Sequence, residues 1–385
     1  MSGVHSLLKS WQNLRAFKRL PANHRHIVIY SESRQDWHHH EALIRCLTED
    51  HGQTICYVSS DATDPGLHQA NERILPFCIG SGLFRIVFFQ TLQADVLLTQ
   101  LLDLDNLDLK RSVYPVFYIH MFHSMVSTHM ADRADSYDHY DAILCAGPHH
   151  VSEIRKRELL HGLPAKQLIE HGYARLEQLI EARRDPPQPE GQNVHVLLAP
   201  SWGDQTILNS CGMELAGILL EAGFRLTLRP HFQTRWNSPQ VIDRIVDRFG
   251  DHPRFSLVEL MSESDSLYDS HVMITDWSGA GIDYGLGLEK PVLYIDVPPK
   301  SRNNTWHELG IEPFESSVRD KIGAILAPDN LAAAPRIIGE LLGDRARFRD
   351  QVRSLRANAV FNLGSSARAG AAAVVKIAGE VSNAA

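Results

Sequence analysis

Four short segments hold the residues whose types and spacing could do chemistry. The first is Tyr118-Ile-His120-Met-Phe-His123-Ser124, followed by Ser127-Thr128-His129. Imidazoles just past a strand end can act as general bases near neutral pH. With 21 histidines in the chain, an ordinary hydrogen-bonded loop histidine is the competing reading of His123. The second segment is Leu198-Ala-Pro200-Ser201-Trp202-Gly203-Asp204. Its hydroxyl and loop amides suit a phosphate or an acceptor, and Trp202 suits a ring; the alternative is a plain strand-to-helix turn with Asp204 near a helix start. The third is Leu228-Arg229-Pro230-His231-Phe232, where a guanidinium fork and a second cationic group suit a pyrophosphate. The fourth is Thr275-Asp276-Trp277-Ser278-Gly279. An apolar run stops there and a helical pattern begins. Ser278 and the following amides therefore stand at a helix N-terminus, where backbone N–H groups and the helix dipole favour an anion. Asp276 reads equally as the residue that shapes or caps the turn.

Several familiar chemistries have no signature in the chain. It lacks GxxxxGK[ST], a GxGxxG after the first strand, HExxH, a GxSxG elbow and zinc-type cysteine spacing. His38-His39-His40 falls on a helical pattern and reads as a solvated or cleft-facing patch, not as a metal site.

The elements that must position these segments alternate in type. Strand-like runs occur at 26–30, 54–59, 85–89, 95–99, 115–120 and 141–146, with helical patterns at 41–49, 151–160 and 174–183. Arg183-Arg-Asp-Pro-Pro-Gln-Pro-Glu-Gly-Gln192 is a linker by its proline, glycine and charge. Alternation then restarts, with strands at 194–199, 225–229, 254–258, 271–275 and 291–296 and helices at 207–222 and 239–249. Residues 367–385 form a terminal helix. The expectation is an α/β protein of two doubly wound, Rossmann-type domains facing an interdomain cleft. The N-terminal domain is expected over 1–182, the linker over 183–193 and the C-terminal domain over 194–385. Ligands in such sheets bind at the carboxyl ends of the strands, where all four segments fall.

Composition narrows the class. A 44% apolar, 22% charged chain of 385 residues is globular, and a net charge of −8 argues against general nucleic-acid binding. The five cysteines sit mostly in apolar runs without CxxC pairs, the pattern of buried free thiols in a reducing cytoplasm. No signal peptide is visible and no apolar run nears the ~20 residues of a membrane span. Leu7, Leu8, Trp11, Leu14, Phe17 and Leu20 recur at helical spacing among Lys9, Arg15, Lys18 and Arg19. This stretch, 1–20, suits either an anionic membrane surface or the protein's own surface, so a peripheral position at the inner face of the plasma membrane is one expectation.

Taken together, the segments resemble the CDP-glycerol glycerophosphotransferase family of teichoic-acid primases and polymerases. Phe122-His123-Ser124 is similar to the family's Trp-His-Gly motif. Ala199-Pro200-Ser201-Trp202 resembles its Ala-Pro-Thr-Trp segment, and Arg229-Pro230-His231 its His-Pro donor motif. Thr275-Asp276-Trp277-Ser278-Gly279 resembles Thr-Asp-Tyr-Ser-Ser, and Gly172-Tyr173-Ala174-Arg175 resembles Gly-Tyr-Pro-Arg. The likeness spans roughly residues 110–325. Ser124 for Gly, Ala174 for Pro and an unlike first hundred residues mark a divergent branch.

The resemblance implies a GT-B architecture. It also implies transfer of glycerol phosphate, or a related polyol phosphate, from a CDP-activated donor to a hydroxyl of a glycan or lipid-linked acceptor, with release of CMP, in cell-surface polymer synthesis. The catalytic candidates are His123, as base, and His231. Arg229, Ser278, Gly279, Asp276, Ser201 and Trp202 fall on the donor side, and His120 and Ser124 on the acceptor side. No tightly bound cofactor or metal is expected, because a helix dipole with Arg and His can balance the phosphates. A GT-B glycosyltransferase using a nucleotide sugar is the alternative, and a non-catalytic nucleotide-binding relic a third reading.

Overall fold

Short aliphatic runs flanked by helical segments make central strands buried on both faces, the pattern of parallel sheets. In the computed structural model, residues 2–106, 109–184, 193–258 and 265–384 are described, with side chains from Leu7 onward. The strands are β1 (Ile27–Ser31), β2 (Ile55–Ser59), β3 (Ile74–Cys78), β4 (Val96–Thr99), β5 (Phe117–Met121), β6 (Ala142–Cys145), β7 (Gln167–Glu170), β8 (His195–Leu198), β9 (Arg225–Leu228), β10 (Phe255–Leu257), β11 (Val272–Thr275), β12 (Val292–Ile295) and β13 (Gly323–Leu326). The first helices are α1 (Ser2–Arg19), α2 (Trp37–Arg45), α3 (Leu83–Gln90), α4 (Pro148–His161) and α5 (Ala174–Glu181). Then come α6 (Ile207–Ser210), α7 (Gly212–Glu221), α8 (Phe232–Asn237), α9 (Pro239–Phe249), α10 (Asp265–Asp269) and α11 (Gly279–Leu288). The last four are α12 (Phe314–Val318), α13 (Ala334–Gly343), α14 (Arg345–Ala359) and α15 (Ser366–Ala384).

The chain divides into two units, each with one all-parallel sheet. The first comprises residues 1–123, 132–175 and 360–385; the second comprises 124–131 and 176–359. The first sheet runs β3-β2-β1-β4-β5-β6-β7 and the second β10-β9-β8-β11-β12-β13. Each order reverses once, between β1 and β4 and between β8 and β11, so each unit has a topological switch point.

This division differs from a cut at 183–193. Helix α15 belongs to the first unit because Ala371, Val374, Ile377 and Ala378 are buried in the core formed by Leu43, Ile44, Leu98 and Leu144. Residues 124–131 leave the first unit and join the second. Of the expected linker, residues 185–192 lie outside the described residues. The run at 85–89 is not a strand but the end of α3, which starts after Gly80 and Gly82, both at positive φ, and buries Phe88 and Phe89. The strand in that position is β3, and β7 and β13 are further strands that sequence patterning does not supply.

The first unit packs α1 through Leu14 and Phe17, with the Phe17 ring edge-on to Phe77 at 5.5 Å and Phe88 at 5.3 Å. In the second unit, α11 ends on Glu289, a non-glycine residue at φ 53°. Its carboxylate is 3% exposed and ion-paired with Arg183, Arg353 and Arg356, while Arg356 also donates to the Leu286 carbonyl at 2.6 Å. Three guanidiniums thus hold the last turn of α11 in a backbone state that costs about 1–2 kcal/mol for a residue with a Cβ.

Burial pushes the Glu289 carboxyl upward, but Arg353, Arg183 and Arg356 outweigh it and leave it below the usual range. A depressed folded pKa means the stabilisation is complete above the ordinary glutamate value of about 4.3 and is lost as pH falls through the folded value. Glu289→Ala should therefore cost about 3 kcal/mol at pH 7, the low end for a broken buried pair because Arg353 is half-exposed. The gap in melting temperature between wild type and Glu289→Gln should narrow as pH is lowered through 4. A gap that stays constant would remove the ion cluster from this role.

Candidate functional site

The switch point of the second unit is tied together by one carboxylate. Asp276 follows β11 and is fully buried. Its Oδ1 accepts from the Ser201 amide at 2.8 Å and its Oδ2 from the Ile207 amide at 3.2 Å. Next to it, the Thr275 hydroxyl donates to the Ala199 carbonyl at 2.7 Å. The loop after β8 is thereby fastened to the loop after β11. Asp276 is a shaping residue engaged with backbone, a correction to its expected place among the donor ligands. Ser201, 4% exposed, enters the same link through its amide.

Beyond that link lies the turn at Ser278, which the sequence suggested as an anion cradle. Ser278 is the N-cap of α11, and its hydroxyl accepts from the Ala280 amide at 3.3 Å. Gly281 is glycine for packing: a Cβ there would lie 2.8 Å from Thr275 Cγ2 and 2.9 Å from Tyr294 Oη. Ligand approach is therefore not what Gly281 serves. Gly279 is different, since a Cβ there would meet only Val126 Cγ1 at 3.4 Å and Ser124 Cβ at 3.5 Å, ordinary contact. Trp277 donates from Nε1 to the Val297 carbonyl at 2.8 Å, and the Arg319 guanidinium lies 4.2 Å over its ring. Arg319 is itself 4% exposed and paired with Asp296 at 3.0 Å.

A platform of rings stands at the ends of β8 and β9. Trp202 and His231 have centroids 6.1 Å apart, and His231 stacks on Phe232 at 4.6 Å. Lys300 Nζ sits 4.0 Å over the Trp202 ring, a cation–π arrangement that nothing in the local sequence around Lys300 announces. His231 is the N-cap of α8, and its Nδ1 accepts from the Gln233 amide at 3.1 Å. That bond assigns the ring proton to Nε2, so neutral His231 is a donor toward an anion rather than a base there. Arg229, 8% exposed, is anchored at its amide by the Leu198 carbonyl at 2.8 Å.

In the first unit, His123 stands two residues past β5 with an exposed side chain. Its carbonyl accepts from the Tyr173 hydroxyl at 2.8 Å, and its ring centroid is 6.0 Å from that of His39. The turn that delivers Tyr173 requires glycine: Gly172 has φ +100°, and a Cβ there would collide with the Phe361 carbonyl. Of the two readings of the histidines on α2, solvated or cleft-facing, the solvated one does not hold. His40 is completely buried against Tyr57, and His38 and His39 are half-buried. Burial, with Arg175 and His123 adding to it, lowers His38 to about 4. Burial likewise lowers His40 to about 3 and holds His39 well below the imidazole range. All three are therefore neutral at pH 7 and place no fixed positive charge beside His123.

Asp36, which sequence reasoning missed, accepts from the amides of Glu32 at 2.8 Å and Ser33 at 3.2 Å after β1. Burial raises its pKa, while those amides and His123 pull it down. His120 is corrected: it is fully buried, bonded through Nδ1 to the Leu101 carbonyl at 3.2 Å and ringed by Phe122, Tyr137 and Tyr140. Burial lowers it to about 3, so it is a neutral core residue with no surface for an acceptor. Ser124, the residue after His123, belongs to the second unit and lies against Gly279.

Asp276→Ala should leave two buried amides without acceptors and cost ~2–4 kcal/mol. Asp276→Asn, which keeps one acceptor oxygen, should cost less. A melting temperature unchanged in both variants would return Asp276 to a ligand role.

No family model and no curated protein sequence matches the chain. Solved structures do. A wall teichoic acid polymerase, TagF, in a variant soaked with CDPG superposes with a TM-score of 0.58 at 12% identity, over 98% of each chain. A UDP-GlcNAc 2-epimerase of Methanocaldococcus jannaschii, in complex with UDP-GlcNAc and UDP, gives 0.57 at 11% identity, over 91% of this chain and 99% of that one. A glycosyltransferase of Rickettsia africae gives 0.55 at 14% identity, over 91% and 98%. At such identities the likeness is one of fold, and the chain has the two-sheet GT-B fold that these proteins share.

Proposed function

We propose that the chain is a transferase that moves glycerol phosphate, or a related polyol phosphate, from a CDP-activated donor to a hydroxyl acceptor and releases CMP. The observation that carries this reading lies within the second unit, where the Ser278-capped N-terminus of α11 after β11 and the Arg229 and His231 segment after β9 stand at the carboxyl ends of one parallel sheet, with the His231 Nε2–H left as a donor. In this reading the cradle, Arg229 and the Nε2–H of His231 hold the donor diphosphate. His123 removes the acceptor proton as the hydroxyl oxygen attacks the β-phosphorus, and CMP departs with the electrons of the broken phosphoanhydride bond. The helix dipole and Arg229 supply positive charge, and the His231 Nε2–H a hydrogen bond, where the leaving phosphate develops negative charge, and no metal or cofactor is required. Trp202 and Lys300 suit the nucleoside end of the donor. The similarity to a teichoic acid polymerase supports this choice of donor.

A GT-B glycosyltransferase using a nucleotide sugar is the second reading, favoured by the glycosyltransferase and epimerase structures of the same fold. Release of CMP from CDP-glycerol in the presence of hydroxyl acceptors separates the two. The expected result is turnover with CDP-glycerol or CDP-ribitol, reduced 10²–10⁴-fold in His123→Ala, the range for loss of a general base. His231→Ala should raise the donor KM as well as lower kcat. Turnover confined to a nucleotide sugar would overturn the CDP-polyol assignment.

The acceptor in this proposal is a glycan or a lipid-linked glycan, and the chain works in cell-surface polymer synthesis at the cytoplasmic face of a membrane. Helix α1 supports this. Leu14 and Phe17 are buried, whereas Leu7, Leu8 and Trp11 are 58%, 54% and 47% exposed, beside Lys9 and Arg15. Among the described residues no helix is long and apolar enough to cross a membrane. Each basic residue near an anionic surface contributes about 1 kcal/mol, and the exposed apolar side chains add to this. Sedimentation with phosphatidylglycerol-containing vesicles should exceed that with phosphatidylcholine by at least about tenfold, and Leu7→Glu/Trp11→Glu should abolish the difference. Equal sedimentation with both vesicle types would confine α1 to the protein's own surface.

A further inference from the structure

We infer that Arg319 is a further residue of the anion site at Ser278, a buried counter-charge for the donor diphosphate, an inference that rests on the transferase reading above. All of the residues involved belong to the second unit. Arg319 follows α12 and is 4% exposed. Its guanidinium carbon stands 4.2 Å over the ring of Trp277, the residue before Ser278, and 5.1 Å over the ring of Tyr294. Tyr294 in turn lies against the first turn of α11, since a Cβ at Gly281 would come within 2.9 Å of its hydroxyl and 3.2 Å of its Cε1. The charge is therefore placed behind the helix start from two directions, through Trp277 just before the N-cap and through Tyr294 just after it.

The protein neutralises this charge only in part. Nη1 donates to Asp296 Oδ1 at 3.0 Å, but the Asp296 side chain is 52% exposed, where water and salt screen it far more than the buried guanidinium. Among the described residues, Nε and Nη2 of Arg319 are buried without a hydrogen-bond partner. The other carboxylate at this turn, Asp276, accepts through both oxygens from the amides of Ser201 and Ile207. A helix N-terminus already carries positive potential, so a cation behind it is unfavourable unless an anion sits between or beside them. Burying the guanidinium with two N–H groups unpaired adds a second cost. A diphosphate at the Ser278 turn offsets the first, because it meets the dipole and the guanidinium charge together. Arg319 then acts through its charge, across the rings it stacks on, and needs no direct contact with the ligand.

Calorimetric titration of the full-length protein with CDP, with pyrophosphate and with uncharged cytidine tests the inference. Arg319→Gln should weaken CDP and pyrophosphate by about tenfold or more and leave cytidine within about twofold of wild type. Arg319→Lys, which keeps the charge and loses the planar fork, should stay within about threefold. Asp296→Asn should act in the opposite direction, tightening CDP by about threefold at low salt and losing the gain at high salt, because it removes the partner of the guanidinium. A merely structural Arg319 would make Arg319→Gln and Asp296→Asn both weaken binding, of cytidine as well as of CDP, and that result would overturn the inference. An affinity for CDP within about twofold of wild type in Arg319→Gln would overturn it too. Should Arg319→Gln fail to fold, the sign of the Asp296→Asn effect still decides. Turnover confined to a nucleotide sugar would overturn the CDP-polyol reading alone, and the same titrations with UDP would then decide the role of Arg319. A wild-type protein that binds no diphosphate would overturn both.

Discussion

The candidate site depends on the two hydrogen bonds that Asp276 accepts from Ser201 and Ile207. A parallel sheet leaves its strand ends as separate loops, and at a switch point neighbouring loops diverge to opposite faces. Something must hold them in register if they are to present one surface. Here a fully buried carboxylate does so, and charge-assisted bonds to backbone amides are the strong kind. Ser278, Trp277 and the start of α11 follow from the β11 side of that link, and Trp202 from the β8 side. Because the link is backbone to carboxylate, the loop side chains remain available for a ligand.

A second constraint is covalent. The chain leaves the first unit at His123 and returns at Asp132, so eight residues of the N-terminal half fold with the second unit. Within that unit Ser124 and Val126 lie beside Gly279. Near His123, burial is the main cause that keeps His38, His39 and His40 uncharged, with the Arg175 guanidinium adding to it at His38 and His39, and Tyr173 holds the His123 carbonyl.

Most of this fold is legible in the sequence because parallel strands buried on both faces read as short aliphatic runs, and ten of the thirteen strands among the described residues coincide with such runs. The misreadings have physical causes. A five-residue run such as Arg85–Phe89 is apolar in either state, and length alone cannot tell a buried strand from the end of a helix. Gln167–Glu170 is an edge strand exposed at both ends, so it lacks an apolar signature. Helix α15 was legible as a helix, but its return to the first unit depends on Leu43 and Leu98, hundreds of residues away. Among site residues, Ser278, His231 and Trp202 declare themselves by standing at strand ends. His120 misleads because it lies within β5, where its ring enters the core, whereas His123 lies past the strand end. Lys300 gave no local signal, since its partner Trp202 is distant in sequence, whereas Asp36 was missed although the amides it accepts from, Glu32 and Ser33, are local.

The central claim is that the turn at Ser278 and Gly279 holds the diphosphate of a nucleotide-activated donor. A crystal structure of the protein with CDP-glycerol tests it most directly. The account predicts diphosphate oxygens within hydrogen-bond distance of the Ser278 hydroxyl and of the Gly279 amide, with His231 Nε2 directed at the same group. A diphosphate bound elsewhere on the chain, with this turn facing only solvent, would contradict it.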